Sequence, residues 1–496
     1  MRIIFVISVI FLFVISPLLS QQSKDNLLNK QLVLQQLVNK TGADKDLKNG
    51  SFGFYAIDTK TGTVLIEYNS NQSLIPASTM KAVTTAASLE LFGSKHRFKT
   101  TLEYDGYIDS ECVLQGNLYI KGGGDPSIGS SFLFNKNRFE FLTSWTNAVF
   151  ASGISGINGS IVGDDEIFSG ELIPSTWTWG DIGNYYGACS SGLSVFDNVY
   201  EIEFSSGNIG DLVKVKNILP FIPYMQLKSE VKASSVSSDN SIIFGAPNSP
   251  HRIIRGEIPS GRTSFFVKGA MPEPPLLAAF AFNEVLKKNG MKISGEPSTI
   301  NRINTNSKRQ KRIQIADFYS PFLIEIINWT NLKSVNLFAE HLLNHIGLLK
   351  LKSGESQAGA KALTEFWRSK GIDTQGMFIA DGSGLSRANG ITAKQLAEVM
   401  KYMTGSSEFE FFYNSLAIAG ISGSIANICQ GTSAGNNLRA KSGYINRVRS
   451  YTGYVNNKSG NLIAFAMIAN NYTCSPAEMK SKMEKIMVAM SESNCD

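Results

Sequence analysis

Residues 438–470 read LRAKSGYINRVRSYTGYVNNKSGNLIAFAMIAN, and the pattern is three strands in series. The runs LRAKSGYI, VRSYTGYVN and NLIAFAMIAN are rich in apolar and aromatic positions, and Asn456-Asn457-Lys458-Ser459-Gly460 supplies the turn between the last two. Near the other end of the chain, SFGFYAIDTKTGTVLIEYN (51–69) holds two more such runs about the turn at 58–62, which is a hairpin signal. A helix is expected next: Pro76 suits its start, 82–91 is good helix material, and Phe92-Gly93 supplies the stop. PAEMKSKMEKIMVAMSES (476–493) reads as a closing helix. Two strands from one end and three from the other predict an α/β (α+β) fold built on one five-stranded antiparallel sheet flanked by helices.

What lies between is of two kinds. From about residue 100 to 270, short β-like runs are broken by Gly, Ser, Asn and Pro, as in GSIVGDDEIF and SIIFGAPNSP. From Met271 onward helical patterns return, among them PPLLAAFAFNEVLKKNG and SVNLFAEHLLNHIGLL. The division expected is a catalytic domain from 21–100 and 271–496 with a β-rich insertion at 101–270. The first twenty residues, MRIIFVISVIFLFVISPLLS, read as a secretory signal peptide cut near Ser20, the alternative being an uncleaved anchor. A periplasmic protein with at most peripheral membrane association is the expectation.

The 496 residues are 43% hydrophobic and 18% charged, with a net charge of +6. That dilute positive charge argues against a nucleic-acid partner, and the basic run at 307–312 reads as a solvated loop. Five cysteines show no CxxC spacing, so no zinc site or redox dithiol is indicated; a Cys474–Cys495 disulfide is permitted by compartment and not assignable. Four histidines are the whole supply. His341 and His345 are spaced i, i+4 but lack H-E-x-x-H spacing and a third ligand, so packing or surface exposure is the reading, and no metal or cofactor is expected.

A serine hydroxyl is a weak nucleophile unless a base lies within hydrogen-bond reach, and without a suitable His that base is a lysine. Ser78-Thr79-Met80-Lys81 puts the pair three apart at a helix start, where i and i+3 share a face. The pattern is weak alone, since Ser229-Glu230-Val231-Lys232 repeats it in what reads as a polar loop. Companion patterns repeat as well: S-x-N occurs at Ser334-Val335-Asn336, at 206–208 and at 238–240, and Lys-Ser/Thr-Gly begins at Lys40, Lys60, Lys352, Lys441 and Lys458. Setting selects among them. Ser334-Val335-Asn336 falls between two helical patterns and Lys441-Ser442-Gly443 on a strand, whereas the rest fall mainly in loops, turns or helix ends.

Taken together, these three motifs resemble those of the penicillin-binding proteins and serine β-lactamases. The 256 positions (334 − 78) between the first two are too many for a compact β-lactamase. They resemble the spacing of the class C low-molecular-mass penicillin-binding proteins, the D-alanyl-D-alanine carboxypeptidase/endopeptidase family of the penicillin-binding protein 4 type. GNLYIKGGGDPSI (116–128), WTWGDIGNYYGA (177–188), SGLSVFDN (191–198), DGSGLSRANGITA (381–393) and AGISGSIANI (419–428) are similar to that family too. The resemblance implies a transpeptidase fold, peptidoglycan stem peptides as substrates, and covalent capture of β-lactams. It implies Ser78 as nucleophile, Lys81 as base, Ser334 as proton relay, Asn336 as a holder of Lys81 and the substrate amide, and Lys441 as a charge favouring neutral Lys81. Ser442, Gly443, Tyr444 and Ile445 would line the substrate, with the N–H groups of Ser78 and Tyr444 as the oxyanion hole. Asp181, with Trp179 and Tyr186, would bind the free end of the stem-peptide diamino acid.

Two departures from the family stand out. Ser442 replaces the usual Thr and keeps the hydroxyl, while Tyr444 stands where a second small hydroxyl residue is common, and is expected to reshape the leaving-group pocket. Asp381 and Ser383 read as turn formers near the cleft. The alternatives in function are a β-lactamase, for which no water-activating Glu is assignable, and a catalytically silent wall-binding scaffold, which the intact motif set disfavours.

Overall fold

The computed structural model describes residues 32–168, 170–171, 173–303 and 311–493, which divide into two compact units. The signal-peptide segment, Cys495 and the lysine- and arginine-rich run through residue 310 lie outside the described residues. The first unit takes the N-terminal part to Val83, Gly371–Phe378 and Asn389–Asp496; the second takes Thr84–Lys370 and Ile379–Ala388.

In the first unit all five expected strands form one antiparallel sheet. Ser51–Asp58 lies between Val64–Tyr68 and Leu462–Asn470, followed by Val448–Asn456 and Arg439–Ile445. The count is corrected by a sixth strand, Ala417–Ile418, on the edge beyond Arg439–Ile445. Two residues are too few to show a period in sequence. Leu462–Asn470 is buried at every position after the first, which explains its unbroken apolar run. On its neighbour, the Tyr454 hydroxyl donates to the Met400 carbonyl of helix Ala393–Met403 at 2.6 Å. Tyr451, of opposite parity, feels the charge of Glu484 on helix Pro476–Glu492, so the two helices cover opposite faces. The turn after Ser51–Asp58 closes as its sequence predicts: Asp58 Oδ1 accepts from the N–H groups of Lys60 and Thr61, and Gly62 takes a positive φ of 74°.

The second unit carries four smaller sheets. The largest has Leu118–Lys121 at its centre, paired with Ile161–Asp164 and with Lys99–Tyr104, which in turn pairs with the edge strand Ile313–Tyr319. Two features differ from the β-rich reading. Helix Glu140–Ala151 lies inside it, and helix Pro274–Lys288 contributes Leu277, Phe282 and Leu286 to the same core, where Phe282 meets Trp145 edge-on at 5.4 Å. Ser229 and Lys232 lie on strand Gln226–Ser234, not in a loop; three apart on a strand they point to opposite faces and cannot pair. Arg312, read as part of a solvated loop, is instead half-buried: it pairs with Asp164 at 2.5 Å and Glu103 at 3.5 Å, over the Tyr119 ring.

Candidate active site

Pro76 and the 3-10 turn Ala77–Thr79 precede helix Met80–Phe92, so Ser78 sits two residues before the first position of that helix. Ala77 is held at φ 48°, a conformation a Cβ disfavours, which the surroundings must enforce. They do so through the Pro76 carbonyl, which accepts from the Thr79 hydroxyl at 2.7 Å and from the Ser450 hydroxyl. Helical spacing then brings Lys81 back toward the nucleophile, and its Nζ donates to Ser78 Oγ at 3.1 Å. Lys81 is fully buried while Ser78 is half-buried.

Strand Arg439–Ile445 passes against this turn. A Cβ on Gly443 would stand 2.6 Å from the Pro76 carbonyl oxygen and 3.0 Å from the Ser78 nitrogen, so only glycine permits the approach. Lys441, fully buried on the same strand, donates to the Ser442 carbonyl at 2.9 Å. Burial, then the positive charge of Lys81, pulls the Lys441 ammonium well below its ordinary 10.5. Two buried amines that repel as cations disfavour carrying both charges at once. The Ser442 hydroxyl donates to that of Ser424 at 2.6 Å. Tyr444 is 51% exposed, and the guanidinium of its cross-strand partner Arg449 covers its ring at 4.8 Å. Ile445 is half-buried, opposite Val448.

In the second unit, Ser334 sits at φ 60° in the break between helices Leu323–Leu332 and Asn336–Leu351. Asn336 Nδ2 donates to the Tyr186 carbonyl at 2.7 Å. Ser334, Asn336 and Tyr186 line one cavity of about 140 Å³, together with Lys268 and Phe132. Asp181 and Trp179 are not among its lining residues. Asp181 accepts from the Thr178 hydroxyl at 2.6 Å and is also bonded by Tyr186, whose phenol is pushed up to about 12 by burial and then by the charge of Asp181. Trp179 is 57% exposed and stacks on Phe244.

A cluster that the sequence reading missed adjoins Asn336 along its helix. Glu340, one turn on, accepts from the N–H groups of Gly382 and Ser383 at 3.1 and 2.8 Å. Asp381 accepts from the N–H groups of Gly384 and Ser386 and from Trp177 Nε1 at 2.7 Å. Both carboxyls are buried, and burial followed by the Asp381 charge pushes Glu340 up to about 8. Asp381 and Ser383 are turn formers as expected; what they lock is a buried pair of acids. The histidines are core residues: His341 and His345 each place a ring nitrogen 2.9 Å from the Gly124 carbonyl, and burial pushes them down to about 3 and about 4.

Residues 34–493 match the family described as the D-Ala-D-Ala carboxypeptidase 3 (S13) family. The chain is 28% identical over 442 residues to a D-alanyl-D-alanine carboxypeptidase of Actinomadura sp. (strain R39), an alignment covering 87% of this chain and 79% of the relative. Its fold is similar to that of penicillin binding protein 4 (dacB) from Haemophilus influenzae, with a TM-score of 0.77, 22% identity, and coverage of 93% and 97% of the two chains. The same protein complexed with a β-lactam gives a TM-score of 0.73 at 22% identity, with coverage of 92% and 97%.

Proposed function

The chain belongs to the D-Ala-D-Ala carboxypeptidase 3 (S13) family, and from that premise we propose a serine D-Ala-D-Ala carboxypeptidase that also opens peptidoglycan cross-links and is acylated by β-lactams. The observation that carries this reading is the 3.1 Å contact from Lys81 Nζ to Ser78 Oγ, with Lys81 fully buried. Ser78 Oγ attacks the carbonyl carbon of the penultimate D-alanine while the Lys81 amine takes the hydroxyl proton. The N–H groups of Ser78 and Tyr444 receive the oxyanion, consistent with the close approach at Gly443. The C–N bond breaks, the leaving amine takes a proton, and D-alanine or the cross-linked partner departs. Water then cleaves the ester and restores Ser78. In a β-lactam the amine stays tethered to the acyl group, so the adduct persists.

The motif match supports the roles of Ser334 in returning the proton and of Asn336 in holding the substrate amide. Asp181, Trp179 and Tyr186 form the place for the free end of the stem-peptide diamino acid, Asp181 having room for a donor beyond Thr178 and Tyr186. The reading includes a catalytic domain from 21–100 and 271–496 with 101–270 inserted, and a periplasmic setting reached through the 1–20 signal. Among the described residues no helix is long and apolar enough to cross a membrane. The test is D-alanine release from a diacetylated Lys-D-Ala-D-Ala peptide: release by the wild-type protein, absent in Ser78→Ala, is expected. Equal rates in the two proteins, or none in either, would sink the assignment.

A further inference from the structure

Asn336 and Glu340 stand one turn apart on one face of helix Asn336–Leu351, about 6 Å along its axis. Each holds a different stretch of chain. Asn336 Nδ2 donates to the Tyr186 carbonyl at 2.7 Å, while Glu340 accepts from the N–H groups of Gly382 and Ser383. The loop that Glu340 holds presents Asp381, whose Oδ2 accepts from Trp177 Nε1 at 2.7 Å. Beside that bond the Ser386 hydroxyl donates to Thr176 Oγ1, also at 2.7 Å. Segment 176–186 is thus tied to a single helix, directly at one end and through loop 381–386 at the other, all within the second unit.

Between those ties the segment is stiff. The Asp181 N–H donates to the Thr178 carbonyl at 2.9 Å, the Asn184 N–H to the Asp181 carbonyl at 3.0 Å, and Asn184 Nδ2 to the Gly180 carbonyl at 2.7 Å. A Cβ on Gly187 would stand 2.2 Å from the Asp181 carbonyl oxygen, so the turn closes as far as a glycine allows. On a third side Asn184 Oδ1 accepts from the Ile243 N–H at 3.1 Å. A turn bonded so fully to itself moves as one piece, and the position of its Asp181 carboxylate depends on where the piece is mounted.

A buried pair of acids is a costly way to hold a loop, since an apolar filling of similar volume serves stability as well or better. What the pair adds is a fixed acceptor at a chosen place, met by a donor 204 positions away. We propose that Asp381 is a positioning residue for substrate recognition: through the Trp177 indole it fixes the turn that carries Asp181, and, resting on the function proposed above, it thereby places the carboxylate that takes the cationic free end of the stem-peptide diamino acid. Asp381 is fully buried, so it acts through Trp177 and not on the substrate.

The test compares D-alanine release from two peptides, Nα-acetyl-Lys-D-Ala-D-Ala with a free ε-amine and its diacetylated form. Wild type should show the lower KM for the free amine. In Trp177→Phe, KM for the free-amine peptide should rise at least about threefold, the scale of a partly lost charge-assisted hydrogen bond, while KM for the diacetylated peptide, kcat for both and the rate of penicillin acylation change by less than about twofold. An unchanged KM, or an equal rise for both peptides as a purely structural role would give, overturns the proposal. If Trp177→Phe loses penicillin acylation through misfolding, Thr176→Val, at an exposed position that gives up the Ser386 bond, carries the same test with the same outcomes, and loss of acylation there too overturns it. No preference for the free amine in wild type would remove the role of Asp181 and this proposal with it, leaving the peptidase standing. No D-alanine release from either peptide would sink the peptidase reading on which both rest.

Discussion

Gly443 shows how much of the site rests on single atoms. Its missing Cβ lets the strand backbone reach the Ser78 nitrogen, where an added methyl would also meet Ser450 Oγ at 2.2 Å. Gly443→Ala should therefore cost about 1–3 kcal/mol in stability. It should also slow penicillin acylation by roughly 10²-fold, the scale of losing one oxyanion donor; an unchanged acylation rate in a folded variant would show the approach to be incidental. Tyr444 makes a different prediction. Its ring is exposed and held by Arg449, so Tyr444→Thr should barely change melting while supplying a hydroxyl toward the substrate carboxylate. A KM for the D-Ala-D-Ala peptide lower by roughly 2- to 10-fold is expected, the worth of one hydrogen bond. If both peptide hydrolysis and penicillin acylation stay as in wild type, Tyr444 does not shape the leaving-group pocket. Ser78, Lys81 and Lys441 were legible in sequence because their placement is local: helical spacing puts Lys81 on the nucleophile's face, and a strand sets Lys441. Ser424 and Ser450 were not, since their roles depend on which hydroxyl or carbonyl folding brings near.

Among the elements, helix Asn336–Leu351 and the loop it holds carry a pH dependence that can be tested. Glu340 is pushed up to about 8, so the native chain keeps a proton there that an unfolded glutamate, near 4.5, has released at neutral pH. Its stabilising contribution is complete below pH 4.5 and lost as pH rises through about 8. Lys441, pulled the other way, adds a slope of opposite sign, so the informative quantity is a difference between proteins that both contain it. Glu340→Gln should melt lower than wild type at pH 5, by about 1–3 kcal/mol for a backbone N–H left facing an amide NH₂. The gap should narrow toward pH 8; parallel curves from pH 5 to 8 would mean that Glu340 does not hold the extra proton. The triad of Trp177, Glu340 and Asp381 was beyond sequence reading because its members lie up to 204 positions apart and only tertiary folding assembles them. Helix Glu140–Ala151 was overlooked among the surrounding short β-like runs, and Gln226–Ser234 looked like a loop because its residues are mostly polar and half-exposed.

For the whole molecule, the sequence disclosed the sheet assembled from both chain ends, since alternation and turns repeat there over about thirty residues at the C-terminus. It understated the region between, where one core gathers residues from Leu102 through Met291. The cysteines offer an independent check on each unit. Cys189 in the second unit and Cys429 in the first are buried, with thiols pushed up by burial to about 11 and about 12, while Cys112 is exposed. Under native conditions iodoacetamide should modify Cys112 and spare Cys189 and Cys429 until denaturant opens their units; native labelling of either buried thiol would contradict the packing described.

The most direct test of the central claim is the intact mass of the mature protein after incubation with benzylpenicillin, followed by peptide mapping. A single penicilloyl adduct that survives isolation, maps to the peptide bearing Ser78 and vanishes in Ser78→Ala is the predicted result. No adduct, an adduct on another residue, or rapid penicillin turnover without D-alanine release from peptide would contradict it.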